Sequence, residues 1–212
     1  MEFDFSQLPS KHRYKLLAGL VVPRPIALVS TLGHGGVVNA APYSFFNVLG
    51  EDPPILIVSI ENKPSGELKD TARNILDNGE FVVNLVDEAT VVRMHDCSQN
   101  FPPEVSEPDQ VGFTTLPSRA VRPPRIAEAP VALECKIFQH IPIGERRHLV
   151  IGQVVWLHSH EGIIDPENLR VRMESYFPVG RLFAERYSKT RDLFAVEANS
   201  EYLESIKRMG RL

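Results

Sequence analysis

The chain has 212 residues, 43% of them hydrophobic and 24% charged, with a formal net charge of −4 and a pI near 6.0. That balance suits one globular domain with its own core and excludes the basic excess of a general nucleic-acid binder. Its two cysteines, Cys97 and Cys135, have no CxxC spacing, which excludes a disulfide framework and a cysteine zinc site and leaves two reduced thiols in a cytoplasmic protein as the expectation.

The opening MEFDFSQLPSKHRYK lacks the basic and apolar blocks of a secretory signal, and no apolar run reaches the length of a membrane span. No membrane partner is expected. Ile26–Ser30 is short and partly β-branched and predicts a strand. Thr31-Leu32-Gly33-His34-Gly35-Gly36 follows as a glycine-rich turn. Val37–Leu49 returns as a second strand interrupted at Pro42, where proline demands a bulge or an edge position. Glu51-Asp52-Pro53-Pro54 turns the chain into a third strand, Ile55–Ile60, completing an antiparallel meander. Asp70 reads as the N-cap of a helix ended by Asn78-Gly79, with Ala72, Ile75 and Leu76 at helical spacing. Phe81–Val86 predicts strand four and Asp87–Ser98 a second short helix.

From Gln99 to Arg125 the chain is irregular and proline-rich, and a loop of that length is expected to be functional or packed over something. Val131–Ile141 alternates as a half-buried strand, and His148–His158 is a sixth strand paired to it through a turn at Gly144. Arg170–Arg191 has no clear period. Val196–Met209 reads as a terminal amphipathic helix. The pattern predicts one domain over 1–212, with a barrel core at about 21–160 and a C-terminal extension over 161–212.

Within the second strand, Asn39-Ala40-Ala41-Pro42-Tyr43-Ser44 is unusual for a core segment. Two alanines would let a flat ligand approach the backbone. Amides beside the proline would stay free to donate, and Asn39 and Ser44 add polar side chains. The alternative is a bulge that merely bends a strand. Lys69-Asp70-Thr71 at a helix N-terminus suits an anion, or is an ordinary capped helix. Ser30-Thr31 could reach a phosphate or close a turn. His158-x-His160 has metal-like spacing but no third ligand. Glu145-Arg146-Arg147-His148 and the arginines at 119, 122 and 125 could hold an acidic group or be solvated. No G-x-G-x-x-G, Walker loop or lipase-type G-x-S-x-G is present.

PRPIALVST, NAAPYSFFNVL, PPILIVSI, LKDTARNI and FVVNLV together resemble the flavin reductase-like family of FMN-binding split barrels. The resemblance continues through VGFTTLPSRAVRPPRIAEAPVALECK and HLVIGQVVWLH, covering roughly Pro23 to His158. It implies a mainly β fold, a six-stranded antiparallel Greek-key split β-barrel with flanking helices, assembled as a homodimer. It also implies FMN as cofactor, with FAD as the alternative flavin, and NADH or NADPH as co-substrate. Ser30 and Thr31 would face the ribityl phosphate, Asn39, Ala40, Ala41 and Ser44 would line the ring, and Ser59 would sit beside them. Lys69 and Thr71 would approach the phosphate, His148 would enter near the ring and assist without being obligatory, and Arg181 and Tyr187 would fold toward the cofactor. The implied activity is an NAD(P)H:flavin oxidoreductase, with hydride passing from the nicotinamide to flavin N5, supplying a partner monooxygenase. An FMN electron carrier reduced by a protein donor, a related barrel with haem or a pyridoxal-type phosphate, and a barrel without cofactor are the alternatives.

Overall fold

In the computed structural model, which describes residues 1–196, the β-branched runs form one antiparallel sheet. The chain starts with helix α1 (Ser10–Leu20), then strands β1 (Ala27–Leu32), β2 (Val38–Tyr43), β3 (Phe46–Glu51) and β4 (Pro54–Glu61). Helix α2 (Asp70–Asn78), strand β5 (Glu80–Leu85) and the short helices α3 (Val91–Asp96) and α4 (Glu107–Val111) follow. Next come the small ladder β6 (Thr115–Leu116) and β7 (Arg125–Ile126) and the long hairpin β8 (Val131–Ile143) and β9 (Arg147–Ser159). The hairpin β10 (Val179–Arg181) and β11 (Tyr187–Lys189) completes the order.

The main sheet runs β2-β1-β5-β8-β9-β4-β3. Its two edges are consecutive in the chain, joined only by Ser44 and Phe45. The Ser59 N–H donates to the Phe45 carbonyl at 2.8 Å, which carries the β3–β4 ladder into this link, and with its edges so joined the sheet is a split barrel. The sheet has seven strands where six were expected, because Val37–Leu49 is two strands. The chain turns at Ser44–Phe45, two residues past the predicted break. Pro42 stays in ladder register opposite Leu28. It does so on an edge strand whose outward direction is marked by the Ala40 N–H, and Pro42, two residues on, has the same orientation. Its missing N–H therefore costs no ladder bond.

The interior is filled by inward residues of the strands, among them Val29, Val58, Ile60, Phe81, Val83 and Val150, with Ala72 and Ile75 of α2 packed among them. A Cβ on Gly152 would overlap the Phe81 ring, so only glycine fits there. Gly79 ends α2 at φ 72°, the left-handed cap read from the sequence. Asp70 is the first helical residue and Lys69 the cap residue, a shift of one from the expected N-cap. Helix α1 was not foreseen: only Ala18 of its residues is buried, and Leu17 and Leu20 stay exposed, so its sequence carries no amphipathic stripe.

The irregular segment after Gln99 packs over the outer face of β1, β2 and β5. There Phe113, Ile126 and Ala129 join Leu28, Ala40, Val86, Met94 and Cys97 in a second core. Both cysteines are free and buried, and burial pushes the Cys97 thiol up to about 12. The β10–β11 hairpin reaches back to the start of the barrel, where Arg181 bridges Arg24. The helix expected over 196–209 lies, beyond its first residue, outside the described residues.

Candidate functional site

Two polar clusters flank the open edge of β2. The first joins its start to α2. Asn74 donates to the buried Thr31 hydroxyl at 3.0 Å, and the Asn39 amide lies 2.9 Å from the Thr71 hydroxyl. With its nitrogen toward Glu107, 3.3 Å away, Asn39 accepts from Thr71 through its oxygen. The Ala40 N–H donates to Glu107 at 3.1 Å. The expectation that the edge amides remain free is thus not met at Ala40, whose outward amide has a carboxylate partner. Burial pushes the Glu107 carboxyl above its ordinary value, against the N–H bonds that favour its charge. Lys69 is exposed, while its neighbour Asp70 pairs with Lys63 at 3.1 Å and Arg73 at 2.9 Å.

The second cluster lies at the other end of β2, around a cavity of about 120 Å³ lined by Pro42, Tyr43, Ser44, His95, Arg181 and Tyr187. The Tyr187 hydroxyl meets both the Arg181 guanidinium and His95 Nδ1, the latter at 2.8 Å. Behind the wall, Arg24 is only 8% exposed. It donates to the carbonyls of Ala18 (2.5 Å), Val21 (2.8 Å) and Leu182 (2.9 Å) and to the Ser44 hydroxyl (3.3 Å). Among the described residues neither Arg24 nor Arg181 has a carboxylate partner. Burial, and then the nearby Arg181 charge, lower the Arg24 pKa. Two positive charges thus face this end without a neutralising acid. Tyr43 is buried in the inner core, with its hydroxyl on the side of Thr71.

Phe45, in the link between β2 and β3, lies between two guanidiniums, Arg24 at 5.8 Å and Arg147 at 5.4 Å from its ring centre. Arg147 donates to Ser59 at 3.2 Å and pairs with Glu61 at 3.3 Å. Ala41 points the other way, against the barrel interior.

The structure therefore gathers Thr31, Asn39, Ala40 and Thr71 at one end and Ser44, Arg181 and Tyr187 at the other, with Ser59 alongside through Arg147. Ser30 stands apart. It is fully buried, donates to the Pro124 carbonyl at 2.6 Å and accepts from Asn84 at 3.0 Å, tying the long loop to β1. His148 bonds His140 and Asn62, each at 2.9 Å, and none of the other site residues. Burial and then the His140 ring lower its pKa. Sequence reasoning missed Arg24, Tyr43, His95 and Glu107. Arg24 did carry a signal, a charge locked between Pro23 and Pro25 ahead of a core strand, whereas Glu107 sits in a loop without period.

A model of the flavin reductase like domain matches residues 19–178. The chain belongs to the flavin reductase-like family. It is 40% identical to 2-nitrobenzoate 2-nitroreductase NbaA of Pseudomonas fluorescens, covering 94% of this chain and 97% of that one with a TM-score of 0.87. It is 35% identical to nitrilotriacetate monooxygenase component B of Bacillus cereus, covering 92% and 98% with a TM-score of 0.88. The uncharacterized protein YwrF of Bacillus subtilis is 41% identical over 199 residues, 92% of this chain and 97% of that protein. A split-barrel protein of Shewanella frigidimarina at 19% identity, with a TM-score of 0.80, shares the fold. Among the described residues no cluster of three or more metal-ligating side chains occurs, and no helix is long and apolar enough to cross a membrane.

Proposed function

We propose that this family member binds FMN along the open edge of β2 and works as an NAD(P)H-dependent flavin oxidoreductase. The observation that carries the reading is the pair of arginines, Arg24 and Arg181, beside Ser44 and Tyr187 and without carboxylate partners. A buried cation without an acid favours an anionic or acceptor-rich ligand. Bound flavin would supply the hydride chemistry, accepting from a nicotinamide. The chain's own part is to orient the group, to offer positive charge at the Ser44 end, and to hold a proton between Tyr187 and His95 Nδ1.

The cavity of about 120 Å³ holds a ring edge or a phosphate and is too small for a whole flavin nucleotide. The remainder needs a neighbouring surface, and a second copy of this chain supplies one. The outer face of β4 and β9 carries the half-buried Ile55, Ile57, Leu149 and Ile151 at strand alternation, with exposed Leu49 beside them. We propose that this face meets its equivalent in a homodimer. The nitrilotriacetate relative is by its name one component of a monooxygenase. On that footing, reduced flavin made here would serve a partner oxygenase.

The test is the visible spectrum of the purified protein before and after anaerobic NADH and then NADPH. A yellow protein that bleaches with either nucleotide supports the reading and names the donor. Bleaching by dithionite alone would turn it into an electron carrier. A colourless protein that takes up no added FMN overturns it. Titrating FMN into Arg181→Gln and Lys69→Ala variants then separates the two ends of the β2 edge.

A further inference from the structure

A second cavity, of about 310 Å³, lies where β8 begins and β9 ends, walled by Arg125, His158, Ser159 and His160 with Ala132 and Leu157. No carboxylate lines it. Arg125 makes no ion pair among the described residues, and its Nε is buried without a hydrogen-bond partner. The adjoining acid, Glu134, does not neutralise it. Glu134 is fully buried, and its two oxygens accept from the backbone N–H groups of Arg119 (2.7 Å), Ala120 (2.6 Å) and Val121 (3.2 Å) and meet His158 Nε2 at 2.5 Å. His160 spends Nε2 on the Ala127 carbonyl at 2.9 Å, which leaves its Nδ1 uncommitted.

A buried guanidinium N–H without an acceptor is rare, because desolvation is then uncompensated. The fork of the half-buried guanidinium matches an oxyanion, which would balance a charge that no acid pairs among the described residues. We propose that this cavity binds the phosphate group of a small molecule, held by Arg125. The site is independent of the flavin reading. It also joins the barrel through the next residue, since the Pro124 carbonyl accepts from Ser30 of β1.

The experiment is calorimetric titration of the full chain with inorganic phosphate and, separately, with adenosine 2′-monophosphate, at constant ionic strength. Wild type, Arg125→Gln and Arg125→Lys are compared. Wild type should bind one phosphate per chain. Affinity should fall about tenfold or more in the Gln variant and by a smaller factor in the Lys variant, which keeps the charge and loses the fork. Tighter binding of the nucleotide assigns the cavity to a nucleotide phosphate, and equal binding assigns it to a free anion. Absence of binding to wild type by either probe, or equal affinity in the Gln variant, overturns the proposal. FMN uptake is measured on all three proteins and should not change, which keeps this test separate from that of the β2 edge.

Discussion

The two halves of the sheet treat their outer faces in opposite ways. Outside β1, β2, β5 and the start of β8, the long loop lays down Phe113, Ile126, Ala129 and Val121, and Leu28, Ala40 and Val82 are buried beneath them. Outside β4 and β9, at the hairpin end, Ile55, Ile57, Leu149 and Ile151 stay half-buried, and the short helices α3 and α4 pack on β2 instead. Both faces are apolar, so hydropathy alone does not tell them apart. What separates them is polar anchoring. The covered half is pinned by side chains that saturate loop backbone groups: Glu134 accepts from three N–H groups, Asn84 accepts from the Ile126 N–H at 2.8 Å, and Ser30 donates to the Pro124 carbonyl. Over the uncovered half no loop is laid down on these side chains, and they stay half-buried.

The strongest way to break this comparison is to remove the main pin. Glu134→Ala strands the buried Val121 N–H, the part-buried N–H groups of Arg119 and Ala120, and His158, and should cost about 3 kcal/mol, read by denaturant unfolding. A loss below about 1 kcal/mol would mean that the apolar contacts alone hold the cover down. Gly152→Ala probes the interior that both halves share. Its new Cβ collides with Phe81, and a loss of about 1–3 kcal/mol is expected in the same assay.

The cover should also respond to acid. Burial alone would raise the Glu134 pKa, but the bonds from His158 and from the Arg119 and Ala120 amides outweigh it and hold the carboxyl below its ordinary value of 4.5. A depressed carboxyl contributes stability that is fully present above its unfolded pKa and is lost as pH falls through the folded one. Stability should therefore drop as pH falls below about 4.5, and Glu134→Gln should flatten that drop. Equal acid profiles for the two proteins would show that other carboxyls govern the transition.

On the uncovered face, Ile57→Asp should change the unfolding free energy of the single chain by only about 0.5 kcal/mol. It should nonetheless halve the mass seen by sedimentation if the face is a subunit interface. An unchanged mass, with wild type already monomeric, would make the bare face mere surface. The smallest expected effect is Glu107→Gln at the β2 edge. A raised carboxyl holds its proton better in the folded state, so its contribution declines as pH rises above 4.5. The variant should match or slightly exceed wild type at pH 7 and lose the advantage in acid, as thermal unfolding across pH would show.

The sequence by itself determined the strands of the barrel, the left-handed cap at Gly79 and the family, because alternation, turn residues and the joint NAAPYS and KDT blocks are local signals. It also placed Pro42 correctly as a choice between bulge and edge, since a missing N–H is a local fact. Only the tertiary structure decided between those two, because which strand lies outermost depends on the order of the whole sheet. The same holds for Ser30, whose hydroxyl reads as a ligand contact until the loop around Pro124 closes over it, and for Glu107, which reaches the Ala40 amide across 67 residues. Arg24 and Arg181 lie 157 positions apart and meet only because the β10–β11 hairpin returns to the segment just ahead of the first strand. Charge pairing and burial are sums over neighbours in space, and a one-dimensional pattern does not contain those neighbours.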